Sequence, residues 1–162
     1  MLFIFSCSED PKNKLPNISP AELKKQLIEA NKKATSLESS QIEGYIQRRK
    51  LNVIQTETGL RYEIYHNEEG EEIKNGQEAV VNYKVSLLDG KECYNTNDTA
   101  EIFKVGQDNV ESGLHEGITY LSKGDKAIII IPSHLAHGLA GDFKKIPIRS
   151  TIVYDIELVD IK

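Results

Sequence analysis

Two histidines three residues apart follow a run of four isoleucines, because residues 128–138 read IIIIPSHLAHG. His134 and His137 could bind a metal ion, act as a base with its helper, or lie at the rim of an apolar pocket. They are expected in a loop rather than on one helix turn, and no acidic residue follows at ligand spacing. Two loop histidines offer too few ligands for a metal site. We therefore expect surface or pocket-rim groups.

Covalent and cofactor chemistry finds little support elsewhere in the sequence. No G-x-S-x-G motif occurs, and the glycines are too dispersed for a phosphate-binding loop. Cys93 follows a turn instead of opening a helix, where a thiolate would be stabilised. The other cysteine, Cys7, lies in a different setting, so neither a structural disulfide nor a clustered zinc site is implied. Asp155 and Glu157 share the solvent side of a strand. We expect no metal and no cofactor.

One reaction requires no titrating group. Rotation about a peptide bond to proline is slow because the amide must lose its resonance, with a barrier of about 20 kcal/mol. An apolar, water-poor pocket favours the twisted amide, and one backbone N–H aimed at a carbonyl can hold the substrate. Aromatic and aliphatic residues are suitable for building such a pocket.

Composition limits the partners. The chain has 162 residues, 28% of them charged, and a net charge of -5. This suits one soluble domain and argues against a nucleic-acid groove or an anionic membrane surface as a partner. The basic run Arg48–Lys50 closes a predicted helix, where cations complement the helix dipole.

The N-terminus, MLFIFSCSEDPK, resembles the lipobox of bacterial lipoproteins, in which a short apolar run ends in a cysteine that becomes lipidated. It departs from that pattern because the run is short and lacks a positively charged start. We expect a lipid anchor on Cys7 that holds the protein in the cell envelope, facing the periplasm or the cell surface. The alternative is an ordinary apolar start with an incidental cysteine.

Three segments are predicted: a truncated signal and tether over 1–18, a helical arm over 19–50, and one domain over 51–162. Ser19 and Glu22 form a capping box around Pro20, and Thr35-x-x-Glu38 forms a second box that opens a further helical stretch. The apolar stripe of the arm is narrow. The arm therefore needs something to lie against, either its own body or a second copy in a homodimer.

After residue 50 the apolar period changes to two, which predicts strands. The predicted strands are 51–54, 60–64, 80–87, 102–105, 127–131 and 151–161, with a hairpin at Asp89–Gly90 and a helix carrying Val110, Leu114, Ile118 and Leu121. This is an α+β domain: a half-open antiparallel sheet wrapped around one short helix, preceded by the helical arm.

From about Ala79 to Lys162 the chain resembles the FKBP-type peptidyl-prolyl cis-trans isomerases. The matching segments are VVNYKVSLLDGK, FKVGQDNVESGLHEGI, KGDKAIIIIPSHLAHGLAG and KIPIRSTIVYDIELVDI. With the lipobox-like start and the stretch IEGYIQRRKLNVIQTETGLRY, the chain further resembles the gliding-motility-associated FKBP-type lipoproteins.

The resemblance implies a set of pocket residues. These are Tyr83 on the first long strand, Phe103, the pair Val110 and Glu111, Leu114 on the pocket floor, Ile146 in the flap, and Tyr154 on the last strand. The backbone N–H of Glu111 would receive a substrate carbonyl. Leu114 stands where many members have tryptophan.

Two departures from the family pattern concern the pocket. Cys93 and Tyr94 stand where an aromatic residue and an aspartate are usual, and a one-residue bulge could bring Tyr94 into the pocket. His137 stands at the tyrosine whose hydroxyl bonds to ligands, so we expect His137 to face the ligand and His134 to be solvated.

The resemblance implies a prolyl isomerase that acts without cofactor on proline-containing extracytoplasmic polypeptides and assists their folding. The alternative is a catalytically weak FKBP-like binding or chaperone module for a partner protein in the cell envelope.

Overall fold

The structure is a computed structural model that describes residues 18–97 and 99–162. The chain divides into two compact units, one ending at Thr35 and the other spanning Ser36–Lys162. The predicted lipid anchor at Cys7 lies outside the described residues. None of the helices in the described part of the chain combines the length and apolarity needed to cross a bilayer.

The arm is one helix, α1 (Pro20–Arg49). Its start confirms Ser19 as the cap, since the Glu22 N–H donates to Ser19 Oγ at 3.2 Å. The Glu22 carboxylate accepts from Gln26 Nε2 at 3.2 Å, so the second bond of the expected box is replaced by one within the helix. The prediction that a further helical stretch opens at Thr35 is wrong. The Thr35 hydroxyl instead donates to the Asn31 carbonyl at 3.0 Å, within the helix. A hydroxyl can bond back one turn inside a helix, so a cap-like sequence does not require a new helix.

The remaining elements form an antiparallel sheet around one short helix, which confirms the α+β prediction. They are β1 (Ile54–Gln55), β2 (Arg61–His66), β3 (Glu78–Leu87), β4 (Glu92–Asn95), β5 (Glu101–Lys104), α2 (Ser112–Ile118), β6 (Lys126–Ile131), a 3₁₀ turn (Ser133–Leu135) and β7 (Ile152–Ile161). The sheet order is β1-β2-β6-β7-β3-β4, and β5 pairs with the first half of β3. The first predicted strand begins three residues later than expected, because Leu51 packs half-buried against α1.

Both faces of the central strands are covered. On one face, α2 packs so closely on β6 that a Cβ on Gly113 would lie 2.3 Å from Ile131 Cγ2, and one on Gly117 would lie 2.8 Å from Ile129 Cγ2. Only glycine permits this approach. On the other face, the buried residues of α1 contact the alternate side chains of β6 and β7; this cluster consists of Ile42, Tyr45, Ile46, Ile130 and Val153.

Candidate functional site

A cavity of about 490 Å³ is bounded by β3, β4, β5, β7, the start of α2 and the loop between β6 and β7. Its size lies within the range of small-ligand pockets. The structure brings eight of the nine sequence-predicted pocket residues to its wall: Tyr83, Tyr94, Phe103, Val110, Glu111, Leu114, His137 and Tyr154. The ninth, Ile146, does not line it.

Two tyrosines from adjacent strands form one wall. The rings of Tyr83 and Tyr154 meet edge to face with centroids 5.3 Å apart. The Tyr83 hydroxyl donates to Glu101 Oε2 at 2.8 Å, and the Tyr154 hydroxyl donates to Glu111 Oε2 at 3.1 Å. Burial, and then the neighbouring carboxylate, raises the pKa of each hydroxyl well above its usual value. Both tyrosines therefore stay protonated and remain hydrogen-bond donors.

Glu111 is an unusual wall residue, because its carboxylate points into the pocket. It precedes α2 as the N-cap residue, but its side chain caps no backbone group. Its Oε1 lies 2.9 Å from His137 Nε2, and its side chain is only 13% exposed. The Glu111 carbonyl accepts from the Leu114 and His115 N–H groups at 2.9 and 3.1 Å. Its own N–H donates no backbone hydrogen bond within the described residues, so this donor is open to a ligand.

The two histidines of the H-x-x-H motif lie in different surroundings. The His137 ring lies in the pocket against Glu111. His134 is exposed, as expected, and its Nε2 lies 3.0 Å from the Thr58 carbonyl. No group of three or more His, Cys, Asp or Glu side chains that could hold a metal ion occurs within residues 18–97 and 99–162.

The β3–β4 pairing contains the bulge that the sequence left open. Val85 lies opposite Tyr94 and Ser86 opposite Glu92, so Cys93 is the extra residue. Cys93 is 1% exposed in the core, and burial raises the pKa of its thiol. The bulge leaves Cys93 in the core and places Tyr94 at the pocket wall.

Asp142 lines the pocket and was missed from the sequence. Its Oδ2 accepts from the Tyr94 hydroxyl, and its Oδ1 accepts from the N–H groups of Lys144, Lys145 and Ile146 at 2.9, 2.9 and 2.8 Å. Desolvation raises the pKa of this carboxyl, but these hydrogen bonds outweigh it and hold the pKa well below the usual range. The Gly141–Asp142 pair was the available signal, because Asp side chains commonly bond to backbone N–H groups a few residues ahead.

That turn also explains why Ile146 differs from the expectation. The Asp142 carboxylate accepts hydrogen bonds from the N–H groups that follow it, and the Ile146 side chain is 3% exposed within the core cluster. Three further polar residues at the cavity wall were missed: Glu101, Asn109 and Lys144. Glu101 begins β5, one residue before the predicted strand.

Comparisons with known proteins agree with this geometry. Residues 69–159, more than half of the chain, match the family described as FKBP-type peptidyl-prolyl cis-trans isomerase. FKBP-type peptidyl-prolyl cis-trans isomerase FkpA of Escherichia coli is 42% identical over 105 residues, which are 65% of this chain and 38% of that protein. Peptidyl-prolyl cis-trans isomerase Fkbp12 of Drosophila melanogaster is 35% identical over 91 residues, which are 55% of this chain and 84% of that protein.

A solved structure shares the fold. The crystal structure of FkpA from Escherichia coli superposes with a TM-score of 0.69 and 34% identity, covering 90% of this chain and 74% of that one. In the sequence comparison, by contrast, the matched stretch spans only 38% of the full length of FkpA. The sequence match, the shared fold and the pocket agree, and the chain belongs to the FKBP-type peptidyl-prolyl cis-trans isomerases.

Proposed function

We propose that this chain catalyses cis-trans rotation of Xaa-Pro bonds in polypeptides and thereby assists their folding. The proline ring lies against the wall of Tyr83, Phe103 and Tyr154, with Leu114 as the floor. A substrate carbonyl accepts a hydrogen bond from the Glu111 N–H. No proton is transferred, and no bond is made or broken.

The pocket accelerates rotation by binding the twisted amide more tightly than the planar one. The twisted amide carries less charge separation, so transfer from water to the aromatic wall and the Leu114 floor costs it less than it costs the planar amide. Each tenfold acceleration requires about 1.4 kcal/mol of such preference. The N–H of Glu111 holds the peptide so that rotation occurs inside the pocket.

One observation carries this proposal: the Glu111 N–H, which donates no backbone hydrogen bond within residues 18–97 and 99–162, stands beside the wall formed by Tyr83 and Tyr154. Phe103 and Leu114 are 5% and 3% exposed and are held by the core. Core packing therefore holds these two side chains in place. Since the pocket is preformed, little binding energy is lost in ordering it.

The test is exchange NMR of a Leu-Pro tetrapeptide with the purified chain. Tyr83→Ala should abolish catalysed exchange. Tyr65→Ala is the matched control, because the Tyr65 hydroxyl also donates to a carboxylate, Asp155 Oδ1, at 2.8 Å, but its ring is absent from the pocket wall. Equal loss in both variants, or full exchange in Tyr83→Ala, would refute the pocket assignment.

A binding or chaperone module for a partner protein in the cell envelope is the second candidate. Three large apolar side chains on the loop between β6 and β7 are well exposed: Leu139 at 70%, Phe143 at 89% and Ile148 at 65%. They could grip hydrophobic segments without catalysis. This candidate predicts that an unfolded polypeptide lacking proline binds as well as one containing it, and that Tyr83→Ala leaves such binding intact.

We also propose that the protein acts outside the cytoplasm as a lipoprotein, with lipid on Cys7. The similarity of residues 4–7 to a lipobox supports this, as does the resemblance to gliding-motility lipoproteins. Cys7→Ala, expressed in a bacterial host, should leave the membrane fraction and lose labelling by an alkyne fatty acid. Retention of the label would disprove lipidation at this residue.

We propose that α1 pairs with a second copy of the chain. Leu23, Leu27 and Ile28 recur along this helix and are 48%, 55% and 46% exposed. A homodimer would cover them. Leu23→Glu combined with Leu27→Glu should halve the mass measured by light scattering, whereas Lys24→Glu should not; an unchanged mass in the double variant would exclude pairing here.

A further inference from the structure

The carboxylate of Glu38 lies where α1 meets the loop that lines the pocket. Its Oε1 accepts from the Ser133 N–H and from the Thr151 hydroxyl, both at 2.7 Å. Its Oε2 accepts from the Ser133 hydroxyl at 3.0 Å. Ser133 and Thr151 are 8% and 5% exposed. Hydrogen bonds to an ionised acceptor are shorter and stronger than those between neutral groups, so these three bonds hold Glu38 tightly against Ser133 and Thr151.

The two donor residues mark the two ends of one loop. Ser133 begins the 3₁₀ turn after β6, and Thr151 immediately precedes β7. Between them lie residues 134–150, which carry four pocket-wall residues, Ala136, His137, Asp142 and Lys144. One carboxylate thus holds both the entry and the exit of the loop.

Two backbone hydrogen bonds also join residues within the loop. The Arg149 N–H donates to the Gly138 carbonyl at 2.8 Å, and the Asp142 N–H donates to the Ile146 carbonyl at 3.1 Å. These internal bonds tie residues 138–149 to one another, and the hydrogen bond from the Tyr94 hydroxyl to Asp142 and the burial of Ile146 also hold this segment in place. The anchors at Ser133 and Thr151 add to these contacts, and losing them frees both ends of the loop that carries His137 and Asp142.

We propose that Glu38 is a positioning residue for the pocket, acting through residues 133–151. Glu38 does not line the cavity. It helps to fix the rim formed by His137 and Asp142, whereas the backbones of Tyr83 and Tyr154 are held in β3 and β7. The catalytic part of this inference rests on the proposed isomerase function, and its structural part does not.

The test compares Glu38→Ala with Glu38→Gln and Glu43→Ala in the full chain. Glu43 is the matched control, because it lies on the same helix and its carboxylate contacts buried Arg61 at 3.2 Å rather than the loop. Glu38→Gln keeps one acceptor oxygen. For Glu38→Ala we expect a loss on the order of tenfold in kcat/KM for a proline peptide, mostly in KM, because misplaced contact residues weaken binding. Glu38→Gln should lose less, and Glu43→Ala should lose stability without losing kcat/KM.

A second measurement does not depend on activity. NMR signals of the His137 ring and of the amides of residues 134–150 should shift in Glu38→Ala and stay in place in Glu43→Ala. If these signals shift but the wild type shows no isomerase activity, the proposed function fails and the positioning role stands. If both variants shift them equally, or if Glu38→Ala shifts none and keeps its KM, the positioning role is overturned.

Discussion

The carboxylate of Glu111 inside the pocket yields a quantitative prediction when Glu111→Ala and Tyr154→Phe are made singly and together. Glu111→Ala leaves the Tyr154 hydroxyl, on a residue 4% exposed, without its acceptor. An unsatisfied buried hydroxyl costs about 1–3 kcal/mol. The lost contact with half-buried His137 adds less than about 1 kcal/mol. No helix cap is lost. We expect the free energy of unfolding to fall by about 2 kcal/mol.

Tyr154→Phe removes one hydrogen bond but leaves the contact between the Glu111 carboxylate and His137. We therefore expect it to lower the free energy of unfolding by about 1 kcal/mol. The double variant has no Tyr154 hydroxyl, so no buried hydroxyl is left without an acceptor. The combined loss should therefore be smaller than the sum of the single losses by about 1 kcal/mol. Urea unfolding of the four proteins, followed by circular dichroism, measures this coupling.

The same variants separate the contribution of the Glu111 side chain to catalysis from that of its backbone N–H. If the N–H holds the substrate, Glu111→Ala should keep kcat/KM within about threefold, a change of less than 1 kcal/mol. A loss as large as that in Tyr83→Ala would show that the carboxylate itself engages the substrate. Strictly additive stabilities would refute the hydrogen bond between Tyr154 and Glu111.

Three other predictions concern the framework of the site. Gly113→Ala should lower the free energy of unfolding by about 1–3 kcal/mol, because the new Cβ would stand 2.3 Å from a buried isoleucine methyl; unchanged urea unfolding would contradict this packing. A chain starting at residue 51 lacks the three buried side chains of α1, each of which contributes about 1.5–3 kcal/mol to the free energy of unfolding. This chain should lose cooperative thermal unfolding, whereas a chain starting at residue 36 should still unfold cooperatively. Tyr94→Phe should raise the pKa of Asp142, which is now held low. A depressed folded-state pKa stabilises the protein above the ordinary carboxyl pKa, and this contribution is lost as pH falls through the folded value. The variant should therefore unfold at higher pH in acid titrations monitored by carbon-13 NMR, and an unchanged Asp142 titration would count against the Tyr94 contact.

Apolar periodicity predicted most of the fold. Alternation over 80–87 and the Asp89–Gly90 turn located β3 and its hairpin, because a half-exposed strand must alternate. The two capping boxes were locally equivalent, yet only the box at Ser19 begins a helix. Glu38, taken from the sequence as part of a cap, accepts hydrogen bonds from residues about a hundred positions away. Such long-range partners leave no local signal.

The pocket was predictable only in part, for a similar reason. Strand residues such as Tyr83 and Tyr154 were located by the resemblance and by period two. Asp142 and Ile146 lie in a loop without a period, where the turn around one carboxylate decides which side chain faces the cavity. The role of Cys93 and Tyr94 depended on a bulge, which the sequence allowed but did not require.

The isoleucine run over 128–131 has a consequence for synthesis of the protein. A short apolar segment rich in β-branched residues, with neither charge nor proline inside it, is prone to aggregate whenever it is exposed. Ile130 is shielded by Tyr45 and Ile46 of α1, which precede it by more than eighty residues. Chains are made from the N-terminus, so the shielding helix leaves the ribosome first. This strand therefore emerges when the helix that covers one of its faces has already been made, and a rearranged gene that placed α1 after β7 would reverse that order.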